Sequence, residues 1–315
     1  MEALYQSPVL QNLLLLLVVV IIDSLWRWPQ KYHPLTLFRL LADGMAKKVK
    51  PTTSENPSQH RISGALGAIV LIVPFTVLVG ILVSMAEYPL FFEAVILLSV
   101  MDFAQIRFHY NAVVTALSKE KKVLAREMAG YMVARDTVRL SDIGIAKAAM
   151  ESLLLRFYYQ FCGVVFWFLI GGPVAALLFR LLLLFSWQWH WRKPGFYWFA
   201  LPVRTITRLL SLVPAFIGAG LLSLATNPFG GFKALFASPA KDSTSLLLAL
   251  SGGSLGIRLG GPSLYAGNMI RYARVGGKRE VRFSDMVYCR RAIIRAILLL
   301  LSLSIVVLTL IHALL

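Results

Sequence analysis

The 315-residue sequence predicts an all-α polytopic integral membrane protein, with about six transmembrane helices and amphipathic cytoplasmic helices between them. Three observations carry this. Hydrophobic residues make up 58% of the chain and charged residues 15%, where a soluble domain has about a quarter charged. The apolar residues gather in uninterrupted runs, and about 20 of them cross a hydrocarbon core as a helix. The basic residues lie almost wholly in three connections, the pattern of cytoplasmic segments.

Spans are expected at 3–22, 63–86, 89–105, 157–186, 198–224 and 292–315, in a single membrane domain covering 1–315. The first has no basic leader and no small-residue cleavage site, so it reads as a retained anchor rather than a signal peptide. After it, Trp26 and Trp28 suit the membrane interface. His33-Pro34 imposes an extended step, and "LTLFRLLADGMAKK" then reads as a short amphipathic helix. "KPTTSENPSQH" predicts a mobile polar linker. The third span is short and ends near Asp102. Beyond it, Ile106, Tyr110, Val113, Leu117, Leu124, Met128 and Tyr131 recur with helical spacing, opposite a solvated basic face of Lys119, Lys121, Lys122 and Arg126.

The fourth span holds Gly171-Gly172-Pro173, where proline removes a backbone hydrogen bond. A packing kink and a site-forming break are both open, since irregular backbone at membrane depth must pack on protein or line a cavity. "SWQWHWRKPGFYW" predicts an aromatic belt at the outer interface. In the fifth span Arg204 and Arg208 share a face, either toward a water-filled cavity or snorkelling to the surface. The segment 225–291 is Gly-rich, and glycines beside Arg258 and Arg271 suit a phosphate cradle. Its spacing matches neither a Walker A loop nor a dinucleotide fingerprint.

The segments 24–62, 106–156 and 225–291 hold 7, 9 and 10 of the 32 Lys and Arg residues, whereas 1–2, 87–88 and 187–197 hold only Arg192 and Lys193. This places the three basic segments in the cytoplasm and both termini opposite. The net charge of +17 is first a topology signal, with attraction to anionic lipid or phosphorylated ligands second. No basic-aromatic motif points to nucleic acid. Cys162 and Cys289 form neither a disulfide framework nor a Cys/His metal spacing and read as packing residues.

One polar stretch stands out, "ARDTVRLSDIGIAKAAMES" at 134–152. Read bare, it is a surface loop: Thr137 or Ser141 caps a helix, Lys147 and Glu151 form an i,i+4 pair, and Arg135 and Asp136 pair locally on the surface. Its residues also carry a resemblance. Ala116-Leu117, Ala125-Arg126, Arg135-Asp136-Thr137, Leu140, Ile145, Ala148 and Glu151-Ser152 follow the pattern of the CobD/CbiB family of cobalamin biosynthesis. Asp23 with His33-Pro34, and "LGIRLGGPSLYAG" at 255–267, are similar to flanking elements of that family.

The resemblance implies a bacterial inner-membrane enzyme that joins an aminopropanol arm, or its phosphate, to adenosylcobyric acid through an amide bond. Its substrates are then the corrinoid and aminopropanol phosphate. ATP and Mg²⁺ are implied without a tightly bound cofactor, and other cobalamin-pathway proteins are possible partners beside the lipid bilayer. On this chain Asp136 and Glu151 become the catalytic and Mg²⁺-binding candidates. Arg126, Arg135 and Arg258 would hold phosphate or carboxylate oxygens, with His33 and Tyr265 as accessory groups.

The departures are equally specific. After Glu151-Ser152 the family usually carries Glu-Asn and Asp, and after its Gly-Gly-Pro span Asn-Thr-Leu-Asp. Here the chain reads "ESLLLRFYY" and "FRLLLLFSW". Polar positions before a Pro-Ala and a Pro-Asn-Ala-Gly element are likewise replaced, by "VRTITRLLSLVPA" and "STSLLLALSGG". Two middle stretches resemble the related AmpE family instead, so a non-catalytic signalling or scaffold protein is the alternative.

Overall fold

The structure is a computed structural model describing residues 8–51, 56–265 and 267–314. Residues 3–7 of the first expected span, part of the expected linker (52–55) and residue 315 lie outside the described residues. The helices are α1 Pro8–Leu25, α2 Pro34–Val49, α3 Pro57–Ser84, α4 Pro89–Val100, α5 Phe103–Ser118, α6 Lys122–Gly130 and α7 Asp142–Arg156, followed by a π-helical turn at Phe157–Cys162. Then come α8 Gly163–Gln188, α9 Leu201–Leu224, α10 Pro228–Phe236, α11 Ser243–Leu255, strands β1 Arg258–Tyr265 and β2 Asn268–Gly276, and α12 Phe283–Leu314. The chain is thus largely helical, as expected, but the Gly-rich segment 225–291 also holds a two-stranded antiparallel hairpin, which the all-α reading did not include.

Four helical stretches among the described residues are long and apolar enough to cross a membrane: Pro57–Ser84, Pro89–Ser118, Asp142–Gln188 and Leu201–Leu224. The chain divides into two compact units. One comprises Met1–Asp102, Tyr159–Pro214 and Ile305–Leu315, the other Phe103–Tyr158 and Ala215–Ser304.

In the first unit, the expected fourth span turns back on itself. Gly171 and Gly172 leave the helical conformation, and Gly172 adopts φ 68° with ψ −167°, a region open essentially to glycine alone. Pro173 then starts the returning arm with no N–H to satisfy. In one straight helix Gln160 and Arg180 would stand about 30 Å apart. Here both reach the same short stretch: Gln160 Nε2 donates to the Asp102 carbonyl, and Arg180 Nε donates to the Val100 carbonyl at 3.1 Å. The ring of Phe179 packs against Gly163, and Trp167 stacks on Phe179. The kink is a helical hairpin.

This reversal corrects the topology read from charge. The connection 187–199 returns to the end of the unit where α2 stops and α3 starts. Trp189 donates its indole N–H to the Ala42 carbonyl at 2.9 Å, Gln188 donates to Asp43 at 2.6 Å, and Arg61 lies 4.5 Å from the Trp198 ring centre. Segments 24–62 and 187–197 therefore share one face instead of opposing each other. Trp189 is also no belt residue: it is fully buried between Phe185 and Phe199. Cysteines placed at Ser58 and Gly195 are expected to label from the same side of intact membranes; labelling from opposite sides would contradict the hairpin.

The same unit buries a polar cluster at the break between α4 and α5, where the helical backbone stops at Met101. Asp102 faces Arg39 at 3.2 Å, Arg180 at 3.7 Å and His33 Nε2 at 3.8 Å. His33 caps α2 through Nδ1, which accepts from the Leu35 N–H at 3.2 Å. Burial pulls the His33 pKa down, Asp102 opposing this and Arg180 and Arg39 adding to it; with Nδ1 accepting, Nε2 is the nitrogen that carries a proton toward Asp102.

The second unit packs α5, α6, α7, α11 and the hairpin around a shared core. The helical pattern read over 106–131 divides in two, because Glu120 takes φ 55° between α5 and α6. Ile106, Tyr110 and Val113 are buried as the pattern predicts, but in α6 the buried face is Ala125 and Ala129 while Leu124 is exposed. Cys162 and Cys289 are both free and buried.

Candidate functional site

The stretch 131–141 is short of regular structure and is held in place from several sides. Ser141 caps α7, accepting from the Gly144 N–H at 3.2 Å. Arg126, on α6, donates from Nε and from a terminal nitrogen to the Leu140 carbonyl at 3.2 and 2.8 Å. Ser152 donates to the Met132 carbonyl at 2.7 Å, and the Asp136 N–H donates to the Leu264 carbonyl at 2.8 Å. The backbone groups of an irregular segment need such partners wherever they leave water. Arg126, expected on a solvated face and then on a substrate phosphate, is half-buried and gives two of its N–H groups to this loop.

Arg135 does not pair with Asp136. Its guanidinium reaches inward and donates to Glu151 Oε2 at 2.7 Å and to the Ser263 hydroxyl at 3.0 Å. The other Glu151 oxygen accepts from the Gly260 N–H at 2.7 Å. Glu151 is 8% exposed, so in place of the local Arg135–Asp136 surface pair read from the sequence, Arg135 and Glu151 form a buried junction between α7, the 131–141 loop and β1. Gly260 permits it: its φ is 74°, and a Cβ there would collide with the Ala273 carbonyl oxygen across the hairpin. The register shifts between Gly260 and Pro262, a bulge that turns the Gly260 N–H out of the ladder and toward α7.

Beside this junction the charges do not balance. Lys147, one turn before Glu151, interacts with Glu151, Glu280, Arg274 and Arg135. A Cβ at Gly261 would lie 3.6 Å from Arg274 Nε and 3.9 Å from Lys147 Nζ, so both cations flank that turn. Glu280 faces Arg258 at 3.6 Å and Arg274 at 3.9 Å. Four cations thus stand around two carboxylates. Such a surplus accepts anionic oxygens of phosphate or carboxylate type.

Six of the seven residues singled out in the sequence belong to this unit; Arg135, Asp136 and Glu151 bond to β1, which itself carries Arg258 and Tyr265, while Arg126 braces the loop at Leu140. Arg135 and Glu151 meet directly. Asp136 is exposed and docks through its backbone near the Tyr265 end of β1, while Arg258 sits at the other end of the strand. His33 belongs to the first unit and to its Asp102 cluster. Lys147, Arg274 and Glu280 were not singled out as site residues. Arg274 lies on a strand that the glycines disguised as loop.

A family model described as CobD/Cbib protein matches residues 16–294, a stretch that contains every residue of this junction. The chain belongs to the CobD/CbiB family. Among curated relatives it is 26% identical to the cobalamin biosynthesis protein CobD of Chromobacterium violaceum over 263 residues, covering 82% of this chain and 84% of that protein. It is 27% identical to the protein of the same name from Stutzerimonas stutzeri over 253 residues, covering 79% and 82%. No solved structure matches it.

In this CobD/CbiB chain the family's motif residues fasten the loop and its surroundings: Arg126 to Leu140, Ser152 to Met132, Arg135 to Glu151. The Mg²⁺ role that the resemblance gives Asp136 and Glu151 does not fit this donor set. Both Glu151 oxygens are engaged by donors. Among the described residues no three His, Cys, Asp or Glu side chains gather to hold a metal ion. Arg180 stands where the family usually carries a polar Asn-Thr-Leu-Asp element, and it is spent on the Asp102 cluster.

Proposed function

We propose that this CobD/CbiB protein attaches an aminopropanol arm, as its phosphate, to adenosylcobyric acid by forming an amide bond. The observation that supports it is the surplus of positive charge at the Gly260-Gly261 turn, in the unit that carries the family motifs. Amide formation brings together an anionic acid, its activating phosphoryl group and a phosphorylated amine, and their charges must be neutralised as the amine attacks. Lys147 and Arg274 are the groups we assign to those oxygens, with Arg258 alongside. Arg135 and Glu151 are positioning residues, which hold the turn against α7. Asp136, exposed at the rim, is the candidate base for the amine. ATP, bringing its own Mg²⁺ on its phosphates, is the co-substrate in this reading.

One observation favours a second reading, a non-catalytic scaffold: both Glu151 carboxylate oxygens and two Arg126 N–H groups are consumed by the fold. Complementation separates the two. The wild-type chain is expected to restore corrinoid-dependent growth to a host lacking its CobD/CbiB protein and fed cobyric acid. Lys147→Met combined with Arg274→Gln is expected to reduce that growth at least tenfold at unchanged membrane abundance. Failure of the wild type at normal abundance would favour the scaffold.

A further inference from the structure

The first unit carries a second concentration of cations that the proposed activity does not use. At the end where α2 stops and α3, α8 and α9 have their termini, Lys50, Arg61, Arg192, Lys193, Arg204 and Arg208 converge on the connection 187–199. Arg204 lies 4.4 Å and Arg192 4.7 Å from the Trp191 ring centre, Arg61 4.5 Å from that of Trp198, and Lys50 5.0 Å from that of Phe196. Among the described residues none of Lys50, Arg61, Lys193, Arg204 and Arg208 has a carboxylate within ion-pair distance. The nearby Asp43 accepts instead from the neutral amide of Gln188. His190 feels the same field: burial first, then Arg192, Lys193 and Arg204, take its pKa down to about 4.

These cations cluster where apolar helices begin and end. Arg61 is in the first turns of Pro57–Ser84, Arg204 and Arg208 are in the first turns of Leu201–Leu224, and Lys193 follows the end of Asp142–Gln188, three stretches apolar enough to span. The ends of such apolar helices are where a chain leaves the hydrocarbon core, at the level of lipid phosphates. Tryptophan and tyrosine settle at that depth, and basic side chains there attract anionic headgroups. The rings of Trp191, Trp198 and Phe196 hold the cations at fixed positions. We propose that this face is a binding site for acidic phospholipid headgroups, with Arg61, Arg204 and Lys193 contacting the phosphates.

The test uses the full chain in detergent, incubated with an equimolar mixture of phosphatidylglycerol and phosphatidylcholine, with retained lipid measured by mass spectrometry. Each basic residue near an anionic surface is worth roughly a fivefold preference. The wild type is therefore expected to retain phosphatidylglycerol over phosphatidylcholine by at least fivefold. Arg61→Gln with Arg204→Gln should bring the ratio close to one, whereas Arg61→Lys with Arg204→Lys should keep most of it. Lys119→Gln with Lys121→Gln, exposed cations of the other unit, should leave the ratio unchanged. Should the double glutamine variant elute as aggregate, Lys193→Gln with Arg208→Gln replaces it, with the same expected loss. Equal retention of both lipids by the wild type would overturn the proposal. So would an unchanged ratio in a well-folded variant, or an equal loss in the Lys119/Lys121 control.

Discussion

Glu151→Gln is expected to destabilise the protein by about 3 kcal/mol, because removing one partner of a buried pair strands the other charge. The Arg135 and Glu151 side chains are only 12% and 10% exposed, and water cannot take over the task of the missing carboxylate. Glutamine retains an oxygen for the Gly260 N–H or for Arg135, but one of its two oxygens is gone and so is the charge. Thermal unfolding of the purified protein in detergent reads the effect. Arg135→Gln added to Glu151→Gln is expected to recover part of the loss, since the uncompensated guanidinium goes with it. A change below about 1 kcal/mol for the single variant, the range of an exposed pair, would show that the junction is solvated. Product formation should fall with Glu151→Gln as well, through displacement of the Gly260-Gly261 turn away from Lys147.

Asp102→Asn is expected to cost a similar amount, about 3 kcal/mol, in the first unit. The substitution leaves the backbone carbonyl and its Gln160 donor in place but removes the charge facing Arg39 and Arg180. Arg39→Gln is expected to cost less than Asp102→Asn, because Arg39 is 28% exposed on its side chain and water screens part of its contribution. Unfolding midpoints of the two variants, compared under one detergent condition, decide the order. Equal or reversed effects would mean that Asp102 does not anchor the cluster.

Much of this was legible in the sequence. Hydropathy located the apolar helices, and His33-Pro34 announced the start of α2, where His33 caps the helix as its position demands. The stretch 134–152 was visibly the wrong composition for its surroundings, and its family pattern includes Arg135 and Glu151, which the fold brings into contact. What stayed hidden has a common cause. Hydropathy is blind to direction, so an apolar run that reverses at Gly172 looks like one that crosses. The alternation of β1 and β2 was masked by glycines that the bulge and turn require. The partner of Glu151 is a backbone N–H 109 residues away, and Asp102 draws on Arg39, Gln160 and Arg180 from three other stretches. No local spacing encodes such pairings. The bare reading of Arg135 and Glu151 as surface charges failed because both sit under the hairpin.

Product formation by the purified protein tests most directly whether the cationic turn at the hairpin serves amide synthesis. The full chain in lipid nanodiscs, given adenosylcobyric acid, aminopropanol phosphate, ATP and Mg²⁺, is predicted to yield the amide-linked corrinoid, detected by mass spectrometry. Yield should drop at least tenfold in Lys147→Met with Arg274→Gln. Absence of the product from folded wild-type protein, or full yield from that double variant, would contradict that role.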